Sequence, residues 1–443
     1  MTRMCDPAEG WEEQIQAQLE PWRAQGISWK LFEEAVDVNS RRGQPSAAIG
    51  FYSRRAYLLR PLLFEHLPRH HVGIVIGFLR AIVALETLPV PDVEFVFSVS
   101  DVPTVKLIND RIPMPLLRYC TREGFADIAI PAEAWYTMQD WDERVMSNNN
   151  SDVATPQRSW SERIAKLGTN AGRYRRLAPW NGIGGAKGCF LFKRSDGLSC
   201  ASPLGTDCRN SSEPCLRNCT SGDPKVVQNR TCDSPRQYFR DVYAPLHRDV
   251  IDVDTLPFRV EDWVHKYVLH LDGVGCSTRL QLYLGLGYAT FVEQSGLRQH
   301  FSKLMVPFRD YVPVWNQSGP DLVDRVHWSR ANDERVRRIG IAARRFAQRH
   351  LGPGARQCYW LLLLQQLRRH LTYTPTLAKR VGAYPLAAHL FPVDGVRPHC
   401  AETDHMRYSA ERLPSTAVCA PAFAANWTLD TRYGKRGFQR LAF

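Results

Sequence analysis

A glycine-rich turn that leads from a strand into a helix is the part of the sequence best suited to chemistry. The segment KYVLHLDGVGCSTRLQLYLGLG covers residues 266–287. Gly273 and Gly275 let the backbone approach a ligand closely. Ser277 begins the predicted helix, where the first amides and the helix dipole favour an anion. Arg279 adds fork-shaped donors for phosphate oxygens. The pattern predicts a pyrophosphate site, and the alternatives are a purely structural turn and an ion pair of Arg279 on the helix surface.

A carboxylate follows a buried strand in the first half of the chain. The segment DVEFVFSVSD, residues 92–101, is β-rich and largely apolar, and it ends on Asp101. A run of this kind is typical of a strand buried on both faces. Ligands of open parallel sheets bind beyond the carboxyl ends of the strands. Asp101 therefore occupies a position suited to a general base, and the alternative is an Asx turn or a helix cap before Pro103.

The pattern of strands and helices predicts two α/β lobes, divided near residue 180. Alternation with short links favours parallel sheets with crossover helices. Two helices are predicted within residues 11–36, with Gly26 ending the first and Ser28 capping the second. The other predicted helices are 72–87, 159–167, 277–286, 321–328, 332–351 and 358–371, and the predicted strands are 92–101, 125–131, 189–193, 266–272, 288–294 and 311–314.

The positive net charge of the chain favours an anionic partner but does not identify it. The 443 residues carry a formal net charge of +12, and 44% are hydrophobic, which is a globular composition. No compact basic run exceeds a few positions, so a basic cleft for a small anion fits at least as well as a nucleic-acid surface. Nucleic-acid binding stays a weaker hypothesis, suggested by charge alone. His66, His70 and His71 lack metal-ligand spacing and fit a solvated loop.

Cysteines and glycosylation sequons point to an oxidising compartment. Six of the 12 cysteines lie between Cys189 and Cys232 without a CxxC pair, which favours disulfides over a zinc site. Six N-x-[ST] sequons occur, three of them in this window. They begin at Asn149, Asn210, Asn218, Asn229, Asn316 and Asn426. The N-terminus lacks an apolar signal region and no stretch is long enough to cross a membrane, so we expect a secretory protein whose targeting segment is missing from this chain.

Several segments resemble glycosyltransferase family 90, which includes capsule-associated proteins and Rumi-type protein O-glucosyl/xylosyltransferases. The run K-Y-x-L-x-L-D-G-x-G-x-S-x-R at 266–279 is similar to the family signature. EFVFSVSDVP at 94–103 resembles the strand that ends in Asp-x-Pro. PFRDYVPV at 307–314 resembles the Pro-Trp-x-His-Tyr-x-Pro segment, and DLVDRVHWSRANDE and CYW resemble the closing helices. The resemblance covers residues 10–375 and is more specific in the second half.

The resemblance implies a fold, a reaction and a first set of site residues. The family folds as two Rossmann-like lobes with a central cleft, the GT-B arrangement. Its members transfer glucose or xylose from a UDP-sugar to a hydroxyl of a protein or glycan, with inversion and without a metal or other cofactor. The resemblance assigns the base to Asp101. It assigns donor binding to the turn residues Gly273, Gly275, Ser277 and Arg279.

Further donor-binding residues are expected where the sequence departs from the family pattern. The family's Phe-Arg-Gly-Ser element corresponds to 192–195, which places Arg194 where glycine is expected, followed by Ser195. Arg209 is the candidate for the family's next arginine, and Glu293, after the next strand, could accept from ribose hydroxyls. Asp310 replaces the family's histidine. These departures leave a second hypothesis open, a catalytically lapsed relative that binds sugar or protein.

The resulting segmentation has four parts. Residues 1–50 form an N-terminal helical segment, and 51–180 form an acceptor-side α/β lobe. Residues 181–375 form a donor-binding α/β lobe with a cysteine-rich insertion at 195–235, and 376–443 form a tail. The expected partners are the UDP-sugar and the acceptor, with no nucleic acid and no membrane span in this chain.

Overall fold

The computed structural model describes most of two compact units. The described residues are 10–41, 46–59, 69–100, 103–107, 111–132, 159–169, 236, 239–253, 264–273, 275–315 and 321–387. Those up to 132 and from 353 onward form the first unit, and those from 159 to 352 form the second. The predicted strand at 189–193 and the cysteine-rich insertion lie outside the described residues.

Helices and strands alternate through both units. The helices are α1 Trp11–Leu19, α2 Trp29–Arg41, α3 Arg69–Ala84, α4 Ala244–Leu246, α5 Arg279–Gly285, α6 Asp321–Ala331, α7 Asp333–His350 and α8 Pro353–His370. The strands are β1 Ser46–Tyr52, β2 Arg55–Leu58, β3 Val93–Ser98, β4 Leu116–Arg118, β5 Thr121–Arg122, β6 Ile128–Ala129, β7 Ile164–Thr169, β8 Ile251–Val253, β9 His265–His270, β10 Ala289–Glu293, β11 Leu297–Arg298, β12 Val312–Val314 and β13 Tyr384–Pro385. The α/β class predicted from sequence is confirmed.

The first unit contains a mixed sheet, which corrects the expectation of a parallel one. Its strand order is β13-β2-β1-β3-β4-β6. β1 pairs antiparallel with β2 and β3, while β3, β4 and β6 run parallel. The β1–β2 hairpin turns at Ser53 and Arg54, both with positive φ (48° and 68°). Asp92 stabilises this turn by accepting a hydrogen bond from the Ser53 amide at 2.7 Å.

The N-terminal helices follow the predicted start and stop signals. Gly26 has a φ of +70°, a conformation that glycine adopts readily, and its amide bonds to the Trp22 carbonyl at 2.8 Å. The Ser28 hydroxyl accepts a hydrogen bond from the Leu31 amide at 3.2 Å. The predicted break at Gly26 and the predicted cap at Ser28 are therefore confirmed.

The second unit contains the parallel sheet that the sequence predicted. Its strand order is β12-β10-β9-β7-β8, and each neighbouring pair of these strands is parallel. The strands carry continuous buried residues, as expected for a sheet covered on both faces. Parallel strands place their carboxyl ends at one edge, which brings the residues after β9 and β10 together.

Residues 159–167 form a strand instead of the predicted helix. Ser159 and Glu162 form a capping box, but it starts only a single 3₁₀ turn, Trp160–Glu162. The chain then enters β7, where Leu167 lies opposite Ile251 of β8 and Tyr267 of β9. Pairing on both sides within the sheet overrides the local helix signal. β7 therefore belongs to the second unit, although the sequence segmentation placed 51–180 in the first lobe.

Helix α8 belongs to the first unit, whereas the sequence segmentation assigned residues up to 375 to the second lobe. Its Tyr359 donates a hydrogen bond to the Ala129 carbonyl at 2.7 Å and accepts one from Gln18 at 3.0 Å. Trp360 packs against Phe95 of β3 with ring centroids 6.0 Å apart. These buried contacts tie α8 to α1 and to the mixed sheet.

Helix α7 supports α5 in the second unit through a close backbone approach. A Cβ at Gly340 would lie 2.5 Å from the Gly287 carbonyl oxygen, so only glycine fits there. This packing fixes the end of α5, the helix that follows the glycine turn. Among the described helices, none combines the length and hydropathy that a membrane crossing requires.

Candidate functional site

The glycine turn after β9 is closed by the carboxylate of Asp272. Its Oδ1 accepts a hydrogen bond from the Ser277 amide at 2.9 Å, and its Oδ2 accepts one from the Ser295 hydroxyl. The His270 Nε2 lies 3.3 Å from Oδ1. Asp272 is buried, and these contacts join the start of the turn to its end.

Glu293 ends the neighbouring strand β10 and reaches the same turn. Its Oε2 accepts a hydrogen bond from the Asp272 amide at 3.0 Å, and the side chain is buried. The structure thus places Glu293 beside the turn as expected, and its observed role is to hold the backbone there. A contact with a ribose hydroxyl stays a prediction.

A pair of glutamines fixes the start of α5. Gln281 Nε2 donates to Gln299 Oε1 at 2.8 Å, and Gln299 Nε2 donates to the Ser277 carbonyl at 3.2 Å. The amide of Ser277 is already bound by Asp272. Both backbone groups of Ser277 are therefore held, and its side chain stays partly exposed.

Arg236 is a residue of this site that the sequence analysis missed. Its Nε lies 3.1 Å from the Leu271 carbonyl oxygen and 3.0 Å from that of Asp272. The guanidinium is buried and lies beside Gly273. Arg236 follows the cysteine-rich window without a recognisable motif, so no sequence signal linked it to a turn more than 30 residues away.

Gly273 is not required by the backbone conformation of the turn. Its φ lies outside the left-handed range, and it is absent from the glycines with positive φ. A Cβ there would meet the Arg236 guanidinium at 3.7 Å, an ordinary van der Waals distance. Neither φ nor packing against the described residues demands glycine here, and a backbone without a Cβ allows a ligand to approach closely.

Arg279 is the first residue of α5 and is partly exposed. The helix has only seven residues, and its N-cap Thr278 makes no side-chain cap hydrogen bond. Because the Ser277 amide already donates to Asp272, the anion contact predicted at the helix start cannot use that amide. Cys276, within the turn, is disulfide-bonded and buried.

The described residues contain five of the nine predicted site residues. Gly273, Gly275, Ser277, Arg279 and Glu293 lie at one edge of the parallel sheet, as the sequence predicted. Four others lie outside the described residues, namely Asp101, Arg194, Ser195 and Arg209.

Asp310, at the position of the family's histidine, forms its hydrogen bonds within its own loop. Its Oδ2 accepts from the Val306 amide at 2.8 Å and from Arg309 Nη2 at 2.8 Å. The side chain is buried, and Phe308 in the same loop has a φ of +60°. The carboxylate therefore stabilises a strained turn before β12.

No group of three or more His, Cys, Asp or Glu side chains that could hold a metal occurs among the described residues. The expected independence from metal stays a prediction. Disulfides also include Cys120 and Cys358 in the first unit, both buried. Three disulfide-bonded cysteines are consistent with folding in an oxidising compartment.

Known proteins similar to this chain include protein O-glucosyltransferases. The chain is 22% identical over 301 residues to protein O-glucosyltransferase 2 of Danio rerio, covering 67% of this chain and 51% of the relative. It is 30% identical over 122 residues to protein O-glucosyltransferase 3 of Mus musculus, covering 27% of this chain and 24% of the relative. It is 28% identical over 285 residues to the uncharacterized protein 035R of Invertebrate iridescent virus 3, covering 61% of this chain and 23% of the relative. The chain therefore spans a quarter to a half of their lengths.

A family model extends over most of the chain. The model for glycosyl transferase family 90 matches residues 10–168 and 250–426. The matched ranges include the strand before Asp101, the glycine turn and the closing helices, which are the segments that carry the resemblance. The chain belongs to glycosyl transferase family 90.

Proposed function

We propose that this protein is an inverting O-glycosyltransferase that moves glucose or xylose from a UDP-sugar to a hydroxyl group of a protein or glycan. The observation that carries the proposal is the turn after β9. It combines a glycine that neither its conformation nor the described residues around it require with the buried charge of Arg236 beside it and with Arg279 at its end. Family membership and the named O-glucosyltransferase relatives support the same reaction class.

The turn is suited to the diphosphate of a nucleotide sugar. Gly273 lets the backbone approach phosphate oxygens, and the two arginines supply positive charge. The Asp272 carboxylate accepts hydrogen bonds from the Ser277 amide and the Ser295 hydroxyl, which holds the turn in one geometry. As the glycosidic bond breaks, UDP leaves with the electron pair, and Arg236 and Arg279 stabilise the charge that develops.

The acceptor side of the reaction needs one proton acceptor. In an inverting displacement, the acceptor oxygen attacks the anomeric carbon on the face opposite UDP while a carboxylate takes the hydroxyl proton. Asp101 is the residue that the family resemblance assigns to this role. The proposal includes the two-lobed GT-B arrangement of the family, action without a metal, and a location in the lumen of the endoplasmic reticulum or Golgi.

The test is a donor screen by UDP release. The protein is incubated with UDP-glucose, UDP-xylose and other UDP-sugars, with and without acceptor domains or glycans, in the presence of a chelator. We expect turnover with glucose or xylose donors, and we expect Asp101→Asn to lose at least about 10²-fold in kcat, the scale of general base catalysis. Turnover by Asp101→Asn at the wild-type rate would remove the base assignment.

A catalytically lapsed relative that binds sugar or protein is the second candidate. The observation in its favour is Asp310, whose carboxylate is used inside its own loop where the family has an imidazole. Calorimetry with UDP and the donor screen together separate the candidates, because an enzyme must bind UDP and also turn over a donor. Binding of UDP without turnover of any donor would favour the lapsed relative.

A further inference from the structure

The segment that follows β10 contacts both ends of the glycine turn. The Ser295 hydroxyl donates a hydrogen bond to Asp272 Oδ2 at the start of the turn. Gln299 Nε2 donates one to the Ser277 carbonyl, near the end of the turn, at 3.2 Å. The side chains of Ser295 and Gln299 are both buried. Two residues that are four positions apart in the chain thus hold the turn at two points.

Neighbouring groups fix the direction of both contacts. The Ser295 hydroxyl also accepts a hydrogen bond from the Leu297 amide at 3.1 Å, so its single proton is available for the carboxylate. A carbonyl oxygen can only accept, which places the nitrogen of the Gln299 side chain against Ser277. The oxygen of the same side chain then accepts a hydrogen bond from Gln281 at 2.8 Å. Both contacts therefore have one donor and one acceptor that cannot exchange roles.

Backbone hydrogen bonds anchor the same segment within the second unit. The Gln294 amide donates to the Val314 carbonyl of β12 at 3.0 Å. The Gln299 amide donates to the Ser302 hydroxyl at 2.8 Å. Gly296, between the two anchors, has a φ of +76°, a conformation that glycine adopts readily. The two side chains that reach the turn therefore start from a backbone that is itself held.

We propose that Ser295 and Gln299 are positioning residues for the donor diphosphate, because they hold both ends of the turn to which we assign it. This inference rests on the proposed function. A turn that is ordered before the ligand arrives costs less to order on binding. Loss of one contact transfers part of that cost to donor binding, so the Kd rises. The ground state and the transition state are weakened equally, so kcat at saturating donor stays the same.

The test compares two substitutions that each remove one buried hydroxyl from the second unit. Ser295→Ala removes the hydrogen bond to Asp272. The matched control is Thr290→Val, which removes the hydrogen bond from the Thr290 hydroxyl to the Tyr288 carbonyl at 3.1 Å. Thr290 lies near the amino end of β10, whereas the turn contacts lie at its carboxyl end. Thermal unfolding reports the stability loss of each variant, and UDP is titrated at a temperature where both are folded.

We expect Ser295→Ala to raise the Kd for UDP and the donor KM by about 10-fold, the scale of one hydrogen bond to a charged group. Its kcat should stay within about twofold of wild type. Gln299→Met keeps the length of the side chain without its donor and should raise the Kd by about threefold, since the lost bond is neutral. Thr290→Val should keep the wild-type Kd. A purely structural role would lower the melting temperature of these variants without changing the Kd.

The outcomes separate this inference from the proposed function. Equal Kd values for Ser295→Ala, Thr290→Val and a UDP-binding wild type would overturn the positioning role and leave the proposed function intact. A wild-type protein that neither binds UDP nor turns over a donor would overturn both. A fall in kcat at an unchanged donor KM would also reject the inference, because the effect would then lie in the transition state. If Ser295→Ala does not fold, Gln299→Met gives the decisive Kd, and a wild-type value would reject the inference.

Discussion

The turn after β9 and the buried ion pair of Arg118 and Asp127 at the end of β4 use their charges differently. In the ion pair, Arg118 Nε lies 3.0 Å from Asp127 Oδ1, and neither side chain is exposed to solvent. At the turn, the carboxylates bind the turn's own amides and a hydroxyl, and Arg279 remains partly exposed at its end. One region thus buries its charges to hold backbone, whereas the other leaves Arg279 partly exposed, where we propose that it contacts the donor.

Substitutions in the two regions should therefore change different measurable quantities. Variants of the turn should change the affinity for the donor and the stabilisation of leaving UDP. Variants of the buried pair should lower the free energy of unfolding and leave UDP binding unaltered, because removal of one partner leaves an uncompensated buried charge. Measuring the Kd for UDP and the free energy of unfolding for each variant therefore tests the comparison directly.

Arg279→Ala is expected to give the largest effect at the turn. Removal of one donor that stabilises developing charge costs about 10²-fold in turnover or raises the donor KM correspondingly. Steady-state UDP release over a range of donor concentrations measures both parameters. Arg338→Ala, an exposed arginine on α7, is the matched control and should behave as wild type. Unchanged kinetics for Arg279→Ala would reject its contact with the diphosphate.

Arg236→Lys should weaken UDP binding by about 10-fold. Lysine keeps the positive charge but cannot present the planar fork that contacts the Leu271 and Asp272 carbonyls together. The turn then loses part of its fixed geometry while the charge remains. Calorimetric titration with UDP gives the Kd, and Arg248→Lys on an exposed turn of the same unit serves as control. Equal affinities for the two variants would exclude Arg236 from the site.

The run from 266 to 294 was predictable because its two strands, its turn and its helix are contiguous in the chain. The run from 266 to 294 contains β9, the turn, α5 and β10 in order, so apolar periodicity and glycine placement located all four. The partners that close the turn were harder to identify. Asp272 lies inside the motif, but its bond to Ser295 depends on how β9 and β10 pair.

Local sequence signals do not reveal structure where tertiary contacts determine it. The β1–β2 hairpin turns through Ser53 and Arg54, which lack the Asn-Gly or Asp-Gly pattern of such turns and are stabilised by Asp92 and by the Leu88 carbonyl. The sequence predicts a helix over 159–167, but the chain forms a single 3₁₀ turn and then β7, which pairs with two neighbouring strands. Arg236 was missed for the same reason, since its contacts are with a distant backbone.

Gly273→Ala is the smallest change that distinguishes a ligand-binding turn from a structural one. A methyl group would lie 3.7 Å from the Arg236 guanidinium carbon and would meet no strained φ, so the folded protein should accept it. The melting temperature should therefore stay close to that of wild type. If the diphosphate approaches this backbone, the methyl group occupies its space and the UDP affinity should fall by several-fold to about 10-fold.

Gly354→Ala supplies the matched control for this substitution. Gly354 lies in the first turn of α8, where an added Cβ meets nothing within 4 Å. Alanine there should raise the free energy of unfolding by about 0.5–1 kcal/mol through helix propensity and leave UDP binding unchanged. If Gly273→Ala instead lowers the melting temperature and retains full UDP affinity, the glycine serves the fold, and the ligand approach must be sought elsewhere on the turn.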